Sequence, residues 1–284
     1  MQQTSLILEG GGMRGAFTAG VLDCFLDHKI YIPHVYGVSA GACQACSYLS
    51  EQKGRGLRVW VNYLQDKRFC SFSSLLHTGN LFDVSFNYDL IPNVLDPVNH
   101  EAYLRHAPHF YAVVTNLRTG HAEYLPVRDL RKDMSAVQAS ASLPLLSLPV
   151  SIGNDIYLDG GVADPIPLKR AISDGHQKNI IVLTRTADYQ KEATHFMLPF
   201  QFRYRHFPAF LSDMKNRHNT YNDSLALVEN EKKAGRVFVI RPKTAPDIGR
   251  IEKNPQKLIA LHHAGYETAQ ERIKALLGFL HASV

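Results

Sequence analysis

The stretch Val35-Tyr36-Gly37-Val38-Ser39-Ala40-Gly41-Ala42-Cys43 constrains this chain more than any other: an apolar, strand-like run ends in a serine between two glycines, and small helix-compatible residues follow at once. A serine flanked by Gly37 and Gly41 fits a sharp strand-to-helix turn, where larger neighbours would collide with the backbone folding back. Its hydroxyl then stands exposed at the mouth of a helix. The same order occurs upstream, where the apolar run Ser5 to Glu9 meets Gly10-Gly11-Gly12 and Phe17, Val21, Leu22, Phe25 and Leu26 recur at helical spacing until His28. Two strand–turn–helix units in succession predict parallel strands joined by right-handed crossovers.

Further strands are predicted at Phe110 to Thr115, Ala122 to Leu125, Ile156 to Leu158, Asn179 to Thr184 and Arg236 to Ile240, with helices at Leu130 to Ser140 and Pro165 to Ser173. The alternation predicts an α/β fold with a mainly parallel central sheet flanked by helices. Residues 55–109 mix helical pieces with Gly, Asn and Pro breaks and are read as walls and a cap. Helical patterns at Ala209 to Lys233 and Pro255 to Leu280 predict a mostly helical C-terminal region. The expected organisation is a catalytic core over 1–185, with 186–284 packed on it rather than standing as an independent unit.

Thirty-one basic against 26 acidic residues leave a net charge of +5, without the basic stripe that nucleic-acid binding needs. No apolar run is long enough to span a bilayer, so lipid contact is expected to be peripheral. The four cysteines (Cys24, Cys43, Cys46 and Cys70), with no signal-peptide pattern before Ser5, predict free thiols and a cytoplasmic location. Cys43 and Cys46 form a C-x-x-C without a second pair, which reads as helix packing. The histidines include no H-E-x-x-H, so no metal and no cofactor is expected. From His195 to Leu211, aromatic residues including Phe200 and Phe202 interleave with Arg203 and Arg205, a composition suited to a peripheral membrane contact or to packing on the core.

Gly10-Gly11-Gly12-Met13-Arg14-Gly15 formally satisfies the dinucleotide fingerprint, but that reading wants a carboxylate at the end of the second strand, and Ser39 stands there instead. Backbone without side chains also turns N–H groups toward one point, so the amides of Gly11, Gly12 and Met13 are read as an oxyanion hole for a carbonyl attacked by Ser39. A serine needs a proton acceptor. His176, His195, His206, His218, His262 and His263 are available but lie in no motif. Asp159, at the end of an apolar strand and followed by Gly160-Gly161, is the first choice and Asp164 the second. The strand end followed by glycines places this carboxylate on the same sheet edge as Ser39.

Taken together, the glycine loop, Gly37-Val38-Ser39-Ala40-Gly41 and Asp159-Gly160-Gly161 resemble, in order, the patatin-like phospholipase family of serine acyl hydrolases. "QASASLPLLSLPV" from Gln138 to Val150 resembles the family's helix end and proline-containing loop. The resemblance covers Ser5 to Thr184. It implies a three-layer patatin-like fold, a lipid ester substrate, and a Ser39–Asp159 dyad without metal. Arg14 matches the family's basic loop position, where it steadies the loop or favours negative charge near the site. Asp164-Pro165 stands where plant members tend to carry small or amide residues. A dinucleotide-dependent oxidoreductase and a non-catalytic lipid-binding scaffold are the alternatives from other classes.

Overall fold

The computed structural model describes residues 4–106 and 109–282. In chain order they form β1 (Thr4–Leu8), α1 (Gly15–Asp27), β2 (His34–Val38), α2 (Ala40–Leu49), α3 (Arg55–Tyr63), α4 (Phe72–Thr78), a π-helical segment Phe86–Leu95, α5 (His100–His106) and β3 (His109–Asn116). There follow β4 (Ala122–Pro126), α6 (Leu130–Ser140), β5 (Val150–Ile152), β6 (Asp155–Asp159), α7 (Leu168–Ser173), β7 (Lys178–Val182), α8 (Leu198–Arg203), α9 (Pro208–Lys233), β8 (Val237–Ile240) and α10 (Pro255–His281).

The strands build one sheet in the order β5-β6-β3-β2-β1-β7-β8, with β4 also on β3. From β3 to β8 all pairings are parallel. Every residue of β1 and β7 is buried, as the central strands of a sheet covered on both faces must be. Alternation along β1 assigns the two faces. Leu6 and Leu8 pack with Phe17, Val21 and Leu258, the side of α1 and α10, while Ile7 packs with Leu168, Ala171 and Leu225, the side of α7 and α9. The result is the expected three-layer α/β fold with a mostly helical C-terminal region.

Strand β6 is not parallel: it runs antiparallel to β3, pairing Val114 with Asp159 and Asn116 with Tyr157. Its last residue, Asp159, pairs with Val114, the residue after the Val113 that pairs with Val38 of β2. Because β2 and β3 run parallel, the antiparallel β6 ends level with Ser39, at the rim where β2 turns into α2.

The C-terminal region is built into the sheet through β8. Helix α10 crosses α1 so closely that a Cβ on Gly20 would lie 1.9 Å from the His262 carbonyl oxygen, and one on Gly265 2.1 Å from that of Phe17. The strand β5, the short helix α8 and the π-helical segment, which carries Pro92 inside it, went unforeseen.

Candidate active site

Ser39 caps α2 with φ 54° and ψ −124°, a conformation costly for a residue with a side chain. Close packing enforces it. A Cβ at Gly37 would lie 2.6 Å from the Ala42 Cα, and one at Gly41 2.3 Å from the Leu8 carbonyl oxygen, so the turn admits only glycine at both positions. The Ser39 N–H donates to Ser140 Oγ at 2.8 Å.

The Ser39 hydroxyl donates to Asp159 Oδ2 at 2.6 Å. Both residues are buried, at 6% and 2% exposure. The other carboxylate oxygen accepts the Gly161 N–H at 2.8 Å. The backbone of Asp159 is held on both sides, its carbonyl accepting from Thr115 Oγ1 at 2.9 Å and its N–H donating to the Ser142 carbonyl at 2.9 Å. Arg217 Nε donates to the Gly161 carbonyl at 2.7 Å. Burial raises the proton affinity of Asp159 above the ordinary carboxylate value, against the opposing pull of the Ser39 hydroxyl and the Arg217 charge.

Gly11 is extended, Gly12 takes φ 57°, and Gly12–Arg14 form a single 3-10 turn. Gly10 packs directly beneath the nucleophile, where a Cβ would sit 2.8 Å from that of Ser39. Among the described residues, the N–H groups of Gly11 and Gly12 have no backbone acceptor. The Met13 amide departs from expectation: it donates to the Arg250 carbonyl at 3.1 Å, so two of the three amides assigned to the oxyanion hole are free. Gly15 begins α1, with its ideal Cβ position 3.0 Å from that of Ala40.

Two cavities share Ser39 and Gly12. The first, about 130 Å³, is lined by apolar groups such as Val59, Trp60, Phe82 and Ile91, with Cys43 in its wall. The second, about 90 Å³, is lined by Asp159 together with Arg14, Arg185, Lys191, Arg217 and Arg250. Arg14 is buried at 7% exposure, and its Nε has no hydrogen-bond partner. Leu143 reaches both cavities, and its loop is tied to its surroundings through Leu145 N–H to Tyr204 Oη (3.0 Å) and Leu148 N–H to Asn80 Oδ1 (2.9 Å).

Asp164, the second choice for the base, accepts the Tyr124 hydroxyl at 2.6 Å and lines neither cavity. Among the described residues no histidine lines them either; His262 pairs with Asp23 at 2.7 Å, and His176 packs on His34. The four cysteines are free. Sequence reasoning missed Thr115, Ser140, Ser142, Arg217 and Arg250 as neighbours of the site. Only Ser140 and Ser142 had a signal, as part of the segment from Gln138.

Residues 6–172 match the family model for patatin-like phospholipase, and residues 207–281 match a domain of unknown function, DUF6363. The uncharacterized protein YjjU of Escherichia coli (strain K12) is 30% identical over 186 residues, which is 63% of this chain and 51% of YjjU; the chain thus spans about half the length of that curated relative. A crystal structure of VipD from Legionella pneumophila superposes with a TM-score of 0.48 at 14% identity, over 96% of this chain and 67% of VipD. With the family match extending over more than half of its length, this chain belongs to the patatin-like phospholipase family.

Proposed function

We propose that the protein is a serine lipid acyl hydrolase that cleaves carboxylic esters of phospholipids or related lipids through Ser39 and Asp159. The observation that carries this reading is the 2.6 Å contact between the Ser39 hydroxyl and a buried carboxylate whose proton affinity is raised by burial. A carboxylate is a weak base in water, and desolvation moves it toward the proton affinity that a base needs near neutral pH.

Ser39 Oγ attacks the ester carbonyl carbon as its proton passes to Asp159 Oδ2, and the carbonyl oxygen becomes an oxyanion facing the Gly11 and Gly12 amides. Collapse breaks the carbon–oxygen bond of the ester, and the leaving alkoxide takes the proton from Asp159. Water then attacks the acyl-serine, gives a proton to Asp159, and the fatty acid departs as that proton returns to Ser39. The apolar cavity accommodates the start of the acyl chain.

The substrate lies in a lipid surface on this reading, and the protein is a cytoplasmic enzyme that reaches it peripherally. Among the described residues no helix is long and apolar enough to cross a membrane. Phe196, Leu198 and Phe202 are 66%, 67% and 77% exposed, and the segment is bonded through Tyr204 to the loop that reaches both cavities, which supports contact by the 195–211 stretch. The 1–185 core and the 186–284 region act as one unit, since Arg217 and Arg250 come from the latter.

A fluorophosphonate probe tests the assignment. Labelling of wild type and not of Ser39→Ala, together with hydrolysis of p-nitrophenyl esters by wild type only, is the expected result. An unlabelled wild-type protein that turns over no ester would leave the non-catalytic scaffold as the better description.

A further inference from the structure

The second cavity at Ser39 carries a charge pattern that ester hydrolysis alone does not require. Five cationic residues, Arg14, Arg185, Lys191, Arg217 and Arg250, line it together with two acidic ones, Glu9 and Asp159. Glu9 is already occupied. One of its oxygens accepts the Tyr221 hydroxyl at 2.7 Å, and the other accepts the Thr184 N–H at 2.5 Å and the Thr184 hydroxyl at 3.1 Å. Asp159 is committed to Ser39 and Gly161.

The cations lack such partners. Among the described residues none of the five lies in an ion pair with a carboxylate: Arg185 stacks on the Tyr189 ring at 4.4 Å, Lys191 Nζ lies 5.5 Å from the centre of the Tyr221 ring, and Arg217 spends one donor on a neutral carbonyl. Arg14 Nε is buried with no partner at all. The crowding is felt within the cluster. Burial together with Arg217, Arg250 and Arg185 presses Lys191 down to about 7, and burial together with Arg185 presses Arg14 down to about 10. Arg14 is buried, Arg185, Lys191 and Arg217 are half-buried and Arg250 is exposed, and cations held away from solvent without a counter-ion are costly unless an anion completes them.

We infer that this cavity is a subsite for a phosphate monoester on the substrate lipid, so that the preferred esters are those of phosphatidate-like lipids. The inference rests on the Ser39 esterase reading above. Guanidinium groups match phosphate oxygens with paired donors, and a dianion offsets more of the cluster's charge than a carboxylate does. A volume of about 90 Å³ admits one such group, whereas whole small-molecule ligands occupy about 300–1,000 Å³. A choline or ethanolamine cap would bring a further cation into the cluster. Because Ser39 borders both cavities, an ester carbonyl at Ser39 puts its acyl chain in the apolar one and leaves the cationic one for a group a few bonds away. The bound dianion also offsets the Arg217 charge that opposes proton uptake by Asp159. Of the five cations only Arg14 lies within the family-matched segment 6–172, so the parts of the chain beyond it set headgroup choice.

The test compares kcat/KM for short-chain phosphatidate and for phosphatidylcholine with the same chains, in wild type, Lys191→Gln and Arg185→Gln, each checked for an unchanged melting profile. The expected result is a wild-type preference for phosphatidate that falls at least tenfold in each variant. A preference absent from wild type, or unmoved by both substitutions, overturns the proposal. Calorimetry of Ser39→Ala with an ether-linked phosphatidate, which cannot be cleaved, reads the subsite without turnover. Binding that weakens at least tenfold on adding Lys191→Gln supports it even if no ester is hydrolysed, and absent binding removes it. Inorganic phosphate that binds as tightly as the ether lipid would mark a site for a free anion and overturn the headgroup assignment.

Discussion

The hydroxyl of Ser140 accepts the backbone N–H of Ser39 at 2.8 Å, and two residues further on the Ser142 carbonyl accepts the N–H of Asp159 at 2.9 Å. One short segment at the end of α6 therefore holds both the hydroxyl-bearing and the carboxylate-bearing backbone. Ser140→Ala leaves the Ser39 N–H buried without an acceptor, a loss of about 1–3 kcal/mol. The expected outcome is a lower urea midpoint and a reduced kcat with little change in KM, since Ser140 touches no substrate-facing surface of either cavity. An unchanged midpoint would show that the hydrogen bond is dispensable.

Asp159 gives a pH signature of defined sign. Its carboxyl is raised above its ordinary value of 3.8 by burial, so over the range from 3.8 up to its folded value the native state binds more protons than the unfolded state. Stability contributed at this position falls as pH rises through that window. Asp159→Asn is therefore expected to melt higher than wild type at pH 7, with the gap closing toward pH 3.8, while kcat drops by about 10²–10⁴-fold. The acid limb of wild-type kcat should lie above the ordinary carboxylate range. Thermal melts and a pH–rate profile check both parts.

Gly12 faces two constraints, φ 57° and a Cβ position 2.4 Å from the Arg250 carbonyl oxygen. In Gly12→Ala the loop has to shift, at a cost of about 1–2 kcal/mol for the backbone conformation alone. Moving one oxyanion donor is worth about 10²–10³ in kcat. A decrease approaching that size is expected in ester turnover and in the rate of fluorophosphonate labelling, with the melting temperature only modestly lower.

The crossing of α1 and α10 depends on two glycines whose added side chains would meet backbone. Gly20→Val and Gly265→Val each push the helices apart and are expected to cost at least about 1–3 kcal/mol. Chemical denaturation measures it. Unfolding that remains a single transition in both variants would agree with a C-terminal region that is cooperative with the core.

Membrane contact calls for different substitutions from those that composition suggests. Phe200 packs in a cluster with Tyr204, Phe210 and Met214, so changing it perturbs folding, whereas Leu198 and Phe202 point outward. The double variant Leu198→Asp, Phe202→Asp should release the protein from anionic phospholipid vesicles in a sedimentation assay and leave its melting temperature near wild type. Equal sedimentation would exclude this face.

Sequence by itself determined the local devices: the glycine-flanked serine turn, the glycine loop before α1, the carboxylate before Gly160-Gly161, and the alternation that makes an α/β sheet. Each is written within a few residues, because turn sterics and hydrophobic periodicity act between near neighbours along the chain. Tertiary structure decided what depends on register and on distant partners. Asp159 meets Ser39 because an antiparallel β6 stops beside Val114, a pairing that no local pattern specifies. The Met13 amide is withdrawn from the oxyanion loop by the carbonyl of Arg250, and a cationic cavity forms from Arg14 beside the glycine loop, Arg185 and Lys191 after β7, Arg217 on α9 and Arg250 before α10, residues far apart in the chain. Charge and hydrogen bonding act through space, so residues scattered along the chain show their joint effect only once the sheet and its helices have brought them together.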